Sequence, residues 1–220
     1  LFFWSYWKAF FQCYYFIWES NRSMENRESV IQIKNLEAGY GNTAILKDVN
    51  FDVYSGEVLV ILGGSGCGKT TVLRHIIGLQ PPLAGDILIL GDNLFQARGS
   101  IRQDILKRIG VAFQSGALFG SMTLLENVRL PLDEYTRLSM EEKNRIASIK
   151  LKQVKLEGFN HFLPAELSGG MQKRAALARA MALDPKILLL DEPGAGLDPV
   201  TAAGLDELIL QLAKDLGITF

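Results

Sequence analysis

Residues 63–70 read GGSGCGKT. Four glycines leave the backbone bare, and an amine and a hydroxyl follow directly. Gly63, Gly64, Ser65, Gly66, Cys67, Gly68, Lys69 and Thr70 satisfy the pattern G-x-x-x-x-G-K-[ST]. The chemistry such a loop can do is anion capture. Backbone N–H groups wrap a phosphate only where no Cβ blocks their approach. A helix that starts at the end of the loop adds its unpaired N–H groups and positive dipole end. Lys69 supplies a compact charge for the β- and γ-phosphates of a nucleoside triphosphate. The Thr70 hydroxyl can ligate Mg²⁺, and Thr71 completes the candidate nucleotide-binding set. The competing reading is a glycine-rich turn that binds nothing. An apolar run enters the loop and a helical pattern leaves it, which favours the phosphate reading. Cys67 reads as a small filler of the loop ahead of a redox sensor.

A second acidic motif complements the first. Residues 187–193, ILLLDEP, place two carboxylates after four apolar residues. The apolar run predicts a buried strand, and ligands of open parallel sheets bind beyond the C-terminal ends of strands. Asp191 would then sit near Mg²⁺, through water, and Glu192 beside the γ-phosphate, where it can polarise an attacking water. A solvated acidic turn is the alternative for this stretch taken alone.

The elements that must position these residues are legible as patterns. Alternation over residues 30–35, 44–46 and 49–53 predicts half-buried strands, and residues 58–62 a buried central strand. Residues 70–77 read as a helix ended by Gly78. A strand at 87–90, a helix at 102–108 and a strand at 111–113 follow. Residues 124–156 are helical and richly charged, with Pro131 expected to break the run. Residues 169–183 form a helix with Met171, Ala175, Ala178 and Ala182 on one face. After the strand at 187–190 come a helix at 201–216, closed by Gly217, and a strand beginning at 218–220. The alternation implies an α/β fold with a largely parallel sheet covered by helices. The early strands suggest a small antiparallel β lobe, and the charged middle an inserted helical lobe at about 118–165.

Composition narrows the partners. A net charge of −1 over 220 residues shows no basic excess, so nucleic acid is not expected. Two cysteines, Cys13 and Cys67, give no metal spacing and no disulfide framework. The first twenty residues, LFFWSYWKAFFQCYYFIWES, hold about half of the aromatic side chains. Ser5, Lys8, Gln12 and the Trp and Tyr content fit a membrane span poorly. Residues 1–23 are therefore read as an extension outside the fold, with a membrane-surface segment as the alternative. Residues 24–220 are read as the domain.

Here the sequence resembles the ATP-binding cassette (ABC) ATPases. Residues 167–172, LSGGMQ, lie close to that family's signature LSGGQ, open a predicted helix and precede the acidic strand. The resemblance covers about residues 30–220 and implies a P-loop ATPase core using ATP and Mg²⁺. It implies that Tyr40 stacks on adenine, and that Gln114 reaches Mg²⁺ and the attacking water. Mg²⁺ ligands would be Thr70, Gln114 and Asp191, and the catalytic pair Glu192 and Gln114. Ser168, Gly169, Gly170, Met171 and Gln172 would act on ATP held by a second cassette, with Asp198 crossing the interface of a head-to-tail homodimer. Gly64 stands where many members carry proline, which should be tolerated. The family's switch histidine would fall just past Thr219 and Phe220; His75 and His161 do not fit that role and read as ordinary packing or surface residues. The sequence is therefore read as a C-terminally truncated cassette, expected to bind ATP better than it hydrolyses it.

Residues 113–119, FQSGALF, with 122–128, MTLLENV, 130–132, LPL, and 194–201, GAGLDPVT, look like the ATPase subunits of Mla-type, MCE-associated lipid and solvent-resistance transporters. That likeness implies a peripheral subunit on the cytoplasmic face of the inner membrane. It would dock a permease, alongside an MCE-domain lipid-binding protein. A small-solute or drug transporter, or a non-transport cassette such as a cell-division ATPase, is the alternative. DNA-repair cassettes insert long coiled coils between Gln114 and the signature, and about fifty residues leave no room for those.

Overall fold

A computed structural model describes the backbone of residues 13–18 and residues 28–220 other than residue 42. In chain order the strands and helices are β1 (Cys13–Trp18), β2 (Ser29–Tyr40), β3 (Thr43–Tyr54), β4 (Val58–Gly63), α1 (Lys69–Ile76), β5 (Ala84–Ile89), β6 (Asp92–Asn93), α2 (Gly99–Lys107), β7 (Ile109–Ala112), α3 (Leu124–Tyr135), α4 (Met140–Gln153), α5 (Gly169–Ala180), β8 (Ile187–Leu190) and α6 (Pro199–Leu216).

The antiparallel lobe is a four-stranded sheet in the order β3-β2-β5-β6. Its inward residues alternate, as in Ile31 and Ile33 of β2 facing Ile89 and Ile87 of β5. The nucleotide-side sheet is parallel. β7 pairs with β8, from Ile109 opposite Ile187 to Ala112 opposite Leu190. Residues 218–220 then join β8 to β4: Leu188 N–H donates to the Thr219 carbonyl at 2.8 Å, and Leu59 N–H to the Phe220 carbonyl at 2.8 Å. These residues are the short strand expected from the sequence. Leu59 N–H and the Glu57 carbonyl are both turned toward Phe220, so β1 pairs antiparallel along the other edge of β4, with Trp18 opposite Val58 and Cys13 opposite Gly63. The segment expected outside the fold thus contributes a strand. The physical reason is that an unpaired strand edge offers a row of N–H and C=O groups that another strand satisfies. The rest of residues 1–23 lies outside the described residues.

Two apolar cores meet at β8. Ile187 packs with α1 and the antiparallel lobe, through Val72, Ile76, Ile31 and Ile87. Leu188, its neighbour, points to the opposite face and packs with α3, α5 and α6. One correction concerns Pro131, which does not break the helical run; α3 continues through it to Tyr135. Proline removes one N–H, yet the buried Leu124, Val128 and Leu132 anchor both sides of it. A capping box at Thr123 and Glu126 fixes the start of the helix. The break falls later, between Tyr135 and Met140, where Ser139 and Glu142 build a second capping box.

Candidate functional site

β4, β7 and β8 run parallel to one another within the sheet, so their C-terminal ends share one edge. Gly63 ends β4, Asp191 and Glu192 follow β8, and Gln114 follows β7 by two residues. The loop after β4 is shaped by its glycines. Gly68 caps α1 with φ 99°, and Gly66 has φ 81°, a region that L side chains enter only at a cost. A Cβ on Gly68 would also lie 2.7 Å from Leu46. Gly64 has open space around it, so a Cβ is tolerated at that position.

The polar groups converge. Lys69 Nζ donates to the carbonyls of Gly63 (2.8 Å) and Gly64 (3.1 Å), touches Cys67 Sγ at 4.0 Å, and lies 3.8 Å from a Glu192 carboxylate oxygen. Thr70 Oγ1 donates to Asp191 Oδ1 at 3.3 Å. Gln114 Nε2 donates to Glu192 Oε2 at 3.2 Å. Glu192 holds a left-handed backbone, φ 46°, a strained geometry for a residue with a Cβ that concentrates at functional sites. Thr70, Asp191 and Gln114 offer hard oxygen donors, the chemistry Mg²⁺ selects. Among the described residues no group of three or more His, Cys, Asp or Glu is placed to hold a metal ion.

Tyr40 ends β2 beside α1, 44% exposed. Its hydroxyl accepts from Arg74 at 3.1 Å and lies 3.4 Å from Thr71 Oγ1, and the Arg74 guanidinium sits 5.9 Å from the ring centre.

The signature residues open α5. Ser168 caps it, accepting from Met171 N–H at 3.3 Å, and Gln172 Nε2 donates to the carbonyls of Pro164 (2.9 Å) and Leu167 (3.3 Å). Ser168 and Gly169 are exposed, whereas Gly170 is buried; a Cβ there would lie 2.4 Å from Thr201 Cγ2. Asp198 caps α6, accepting from Val200 (3.1 Å) and Thr201 (3.0 Å). Hydrogen bonds from the Thr201 side chain and backbone hold its carboxyl below the usual range.

Two basic residues escaped the sequence reading. Lys173 donates to the Gln114 carbonyl, and the Arg179 guanidinium donates to the carbonyls of Gly116 and Ala117, both at 2.8 Å. α5 thereby grips the segment that carries Gln114. His75, read as an ordinary packing or surface residue, is fully buried and accepts from Gly39 N–H. Only the spacing of Thr71, Arg74 and His75 along one helix face could have flagged it. His161 is exposed, as read.

Comparison with known proteins fits this geometry. The family model described as ABC transporter matches residues 46–195, and the chain belongs to that family. Its fold is that of the family's ATPase cassettes: a cassette of Clostridium perfringens, cbiO1, superposes with a TM-score of 0.78 at 30% identity, covering 87% of this chain and 76% of that one. The dimeric bacterial cassette MJ0796 gives a TM-score of 0.75 at 35% identity, covering 86% of each chain.

More particular likenesses come from sequence. The probable ribonucleotide transport ATP-binding protein mkl of Mycobacterium leprae is 44% identical over 189 residues, 86% of this chain and 54% of that protein. This chain thus spans about half the length of the mycobacterial relatives. The intermembrane phospholipid transport system ATP-binding protein MlaF is 40% identical in Haemophilus influenzae, over 87% of this chain and 73% of that protein, and in Escherichia coli K12, over 87% and 71%.

Proposed function

We propose that this chain is the ATP-binding and ATP-hydrolysing subunit of an ABC transporter, one that moves phospholipid or a related lipid between membranes. The observation that carries the reading is the convergence of Lys69, Thr70, Gln114, Asp191 and Glu192 on one sheet edge. The loop N–H groups and Lys69 hold the triphosphate. Thr70, Asp191 and Gln114 would hold Mg²⁺, which when bound offsets charge on the β- and γ-phosphates. Glu192 takes a proton from the attacking water as the bond to the leaving ADP breaks. Gln114, bonded to Glu192, orients that water. Tyr40 stacks on the adenine.

Within residues 168–172, Ser168 and Gly169 are turned to solvent at the N-terminus of α5, a second anion site. They close on ATP bound by a second copy of the chain, with Asp198 at that interface. MJ0796, solved as a dimer and in a state bound to ADP and Pi, supports the pairing. No helix among the described residues is long and apolar enough to cross a membrane. In this reading the subunit works against a separate permease at the cytoplasmic face of the inner membrane, with an MCE-domain protein as a further partner. The likeness to MlaF supports phospholipid as cargo.

The likeness to the mycobacterial probable ribonucleotide transport proteins favours a second reading, ribonucleotide transport. Reconstitution of the ATPase with its permease in liposomes separates the two. ATP-dependent transfer of labelled phospholipid, lost in Glu192→Gln, is the expected result. Uptake of labelled ribonucleotide without lipid transfer would favour the second.

A further inference from the structure

We infer that His75 is a positioning residue for the base of the nucleotide, setting its affinity without touching it. The inference rests on the reading of Tyr40 as the adenine platform and goes beyond it.

His75 lies in the last turn of α1 and is 0% exposed. Its Nδ1 stands 2.8 Å from the Gln80 carbonyl. A carbonyl only accepts, so Nδ1 carries the proton. Nε2 is then unprotonated and accepts the N–H of Gly39 at 3.2 Å. Both ring nitrogens of the neutral imidazole are satisfied, and only this tautomer satisfies both. Gln80 returns to the same residue, its Nε2 donating to the Gly39 carbonyl. The residue before Tyr40 is therefore held at both its N–H and its C=O by side chains from α1 and the turn after it.

Space enforces the arrangement. A Cβ on Gly39 would lie 1.9 Å from the Thr43 carbonyl oxygen, so this residue must be glycine and has no side chain of its own to anchor it. Thr71, Arg74 and His75 share one face of α1. The first two reach the Tyr40 hydroxyl and ring, and the third fixes the Tyr40 backbone through Gly39. The helix that offers its N-terminus to the phosphates thus also fixes where the adenine platform stands. Triphosphate and base are measured off one rigid element.

The test compares Mg-ATP with Mg-tripolyphosphate binding to the intact chain by calorimetry. His75→Leu fills the space but loses both bonds. It should weaken ATP about fivefold, the worth of one hydrogen bond, and leave tripolyphosphate unchanged. His75→Gln, whose amide oxygen reaches toward Gly39, should recover most of the loss, and the shorter His75→Asn should not. Gln80→Ala, at a half-exposed position, should reproduce the selective loss where a core substitution hinders folding. Equal weakening of both ligands in His75→Leu and Gln80→Ala would assign His75 to the general stability of α1 and overturn the inference, as would no change in ATP affinity. Tyr40→Ala separates the two levels. If it weakens ATP while the His75 and Gln80 variants do not, only the inference fails; if it too leaves ATP affinity unchanged, the platform reading fails first.

Discussion

Glu192 carries the heaviest chemical demand of any side chain in the site. It lies between a cation, Lys69 Nζ at 3.8 Å, and a neutral donor, Gln114 Nε2 at 3.2 Å, so its carboxylate is aimed by partners on two other elements. Glu192→Gln preserves shape and removes the base. Its steady-state ATPase rate should fall at least about 100-fold, with Mg-ATP affinity within about threefold of the parent; an unchanged rate would remove Glu192 from the role. At this scale the sequence was most informative. The glycine loop and the DEP motif were both read from their residue types, and the structure brings them to one sheet edge. His75, Lys173 and Arg179 were not legible, because their partners are carbonyls and N–H groups remote in sequence, which carry no residue signature.

Capping and close contact govern the elements. The Glu126 carboxylate accepts from the Thr123 backbone and hydroxyl, each at 2.8 Å, and the Glu142 carboxylate from the Ser139 hydroxyl and backbone, each at 2.7 Å. These bonds hold both carboxyls below their ordinary range, the Thr123 backbone bond first for Glu126 and the Ser139 hydroxyl bond first for Glu142. The sign follows from linkage. A depressed folded-state value gives stability that is complete above the ordinary carboxylate range and is lost as pH falls through the folded value. Thermal unfolding between pH 7 and about pH 3 should show this acid loss, and Glu126→Gln should flatten it.

Asn127 is 0% exposed, and its side chain binds the Phe119 N–H and the carbonyls of Phe119, Met122 and Thr123. It ties α3 to the loop that follows Gln114. Asn127→Ala should cost about 2–4 kcal/mol in urea unfolding, since several buried groups lose their partner together. Gly170 shows the same logic in space. Its Cβ-free surface admits Thr201 of α6, so Gly170→Ala should separate α5 from α6 and lower the melting temperature. Helix existence was legible from periodicity, but the end of α3 was not. The Pro131 rule is local, and buried Leu124, Val128 and Leu132 outweighed it.

Across the whole molecule, β8 separates two cores and delivers Asp191 and Glu192 to the edge they share with the glycine loop. The parallel core and antiparallel lobe were legible as continuous against alternating apolar runs. The pairing of β1 with β4 was not, because an aromatic-rich stretch has no register of its own to announce. The proposed function needs two copies of this unit, since residues 168–172 make their contacts within α5 and its neighbours and leave Ser168 and Gly169 open to a second chain. Glu192→Gln should therefore sediment as a dimer with Mg-ATP and as a monomer with Mg-ADP.

Everything rests on the loop between β4 and α1 as the seat of a nucleotide. Isothermal titration of the intact chain with Mg-ATP, beside Lys69→Ala, measures that most directly. Saturable binding by the parent and loss of at least about 100-fold in the variant, the worth of charge-assisted bonds to phosphate, is the expected result. No binding by the parent at millimolar Mg-ATP, or equal binding by both proteins, would contradict it.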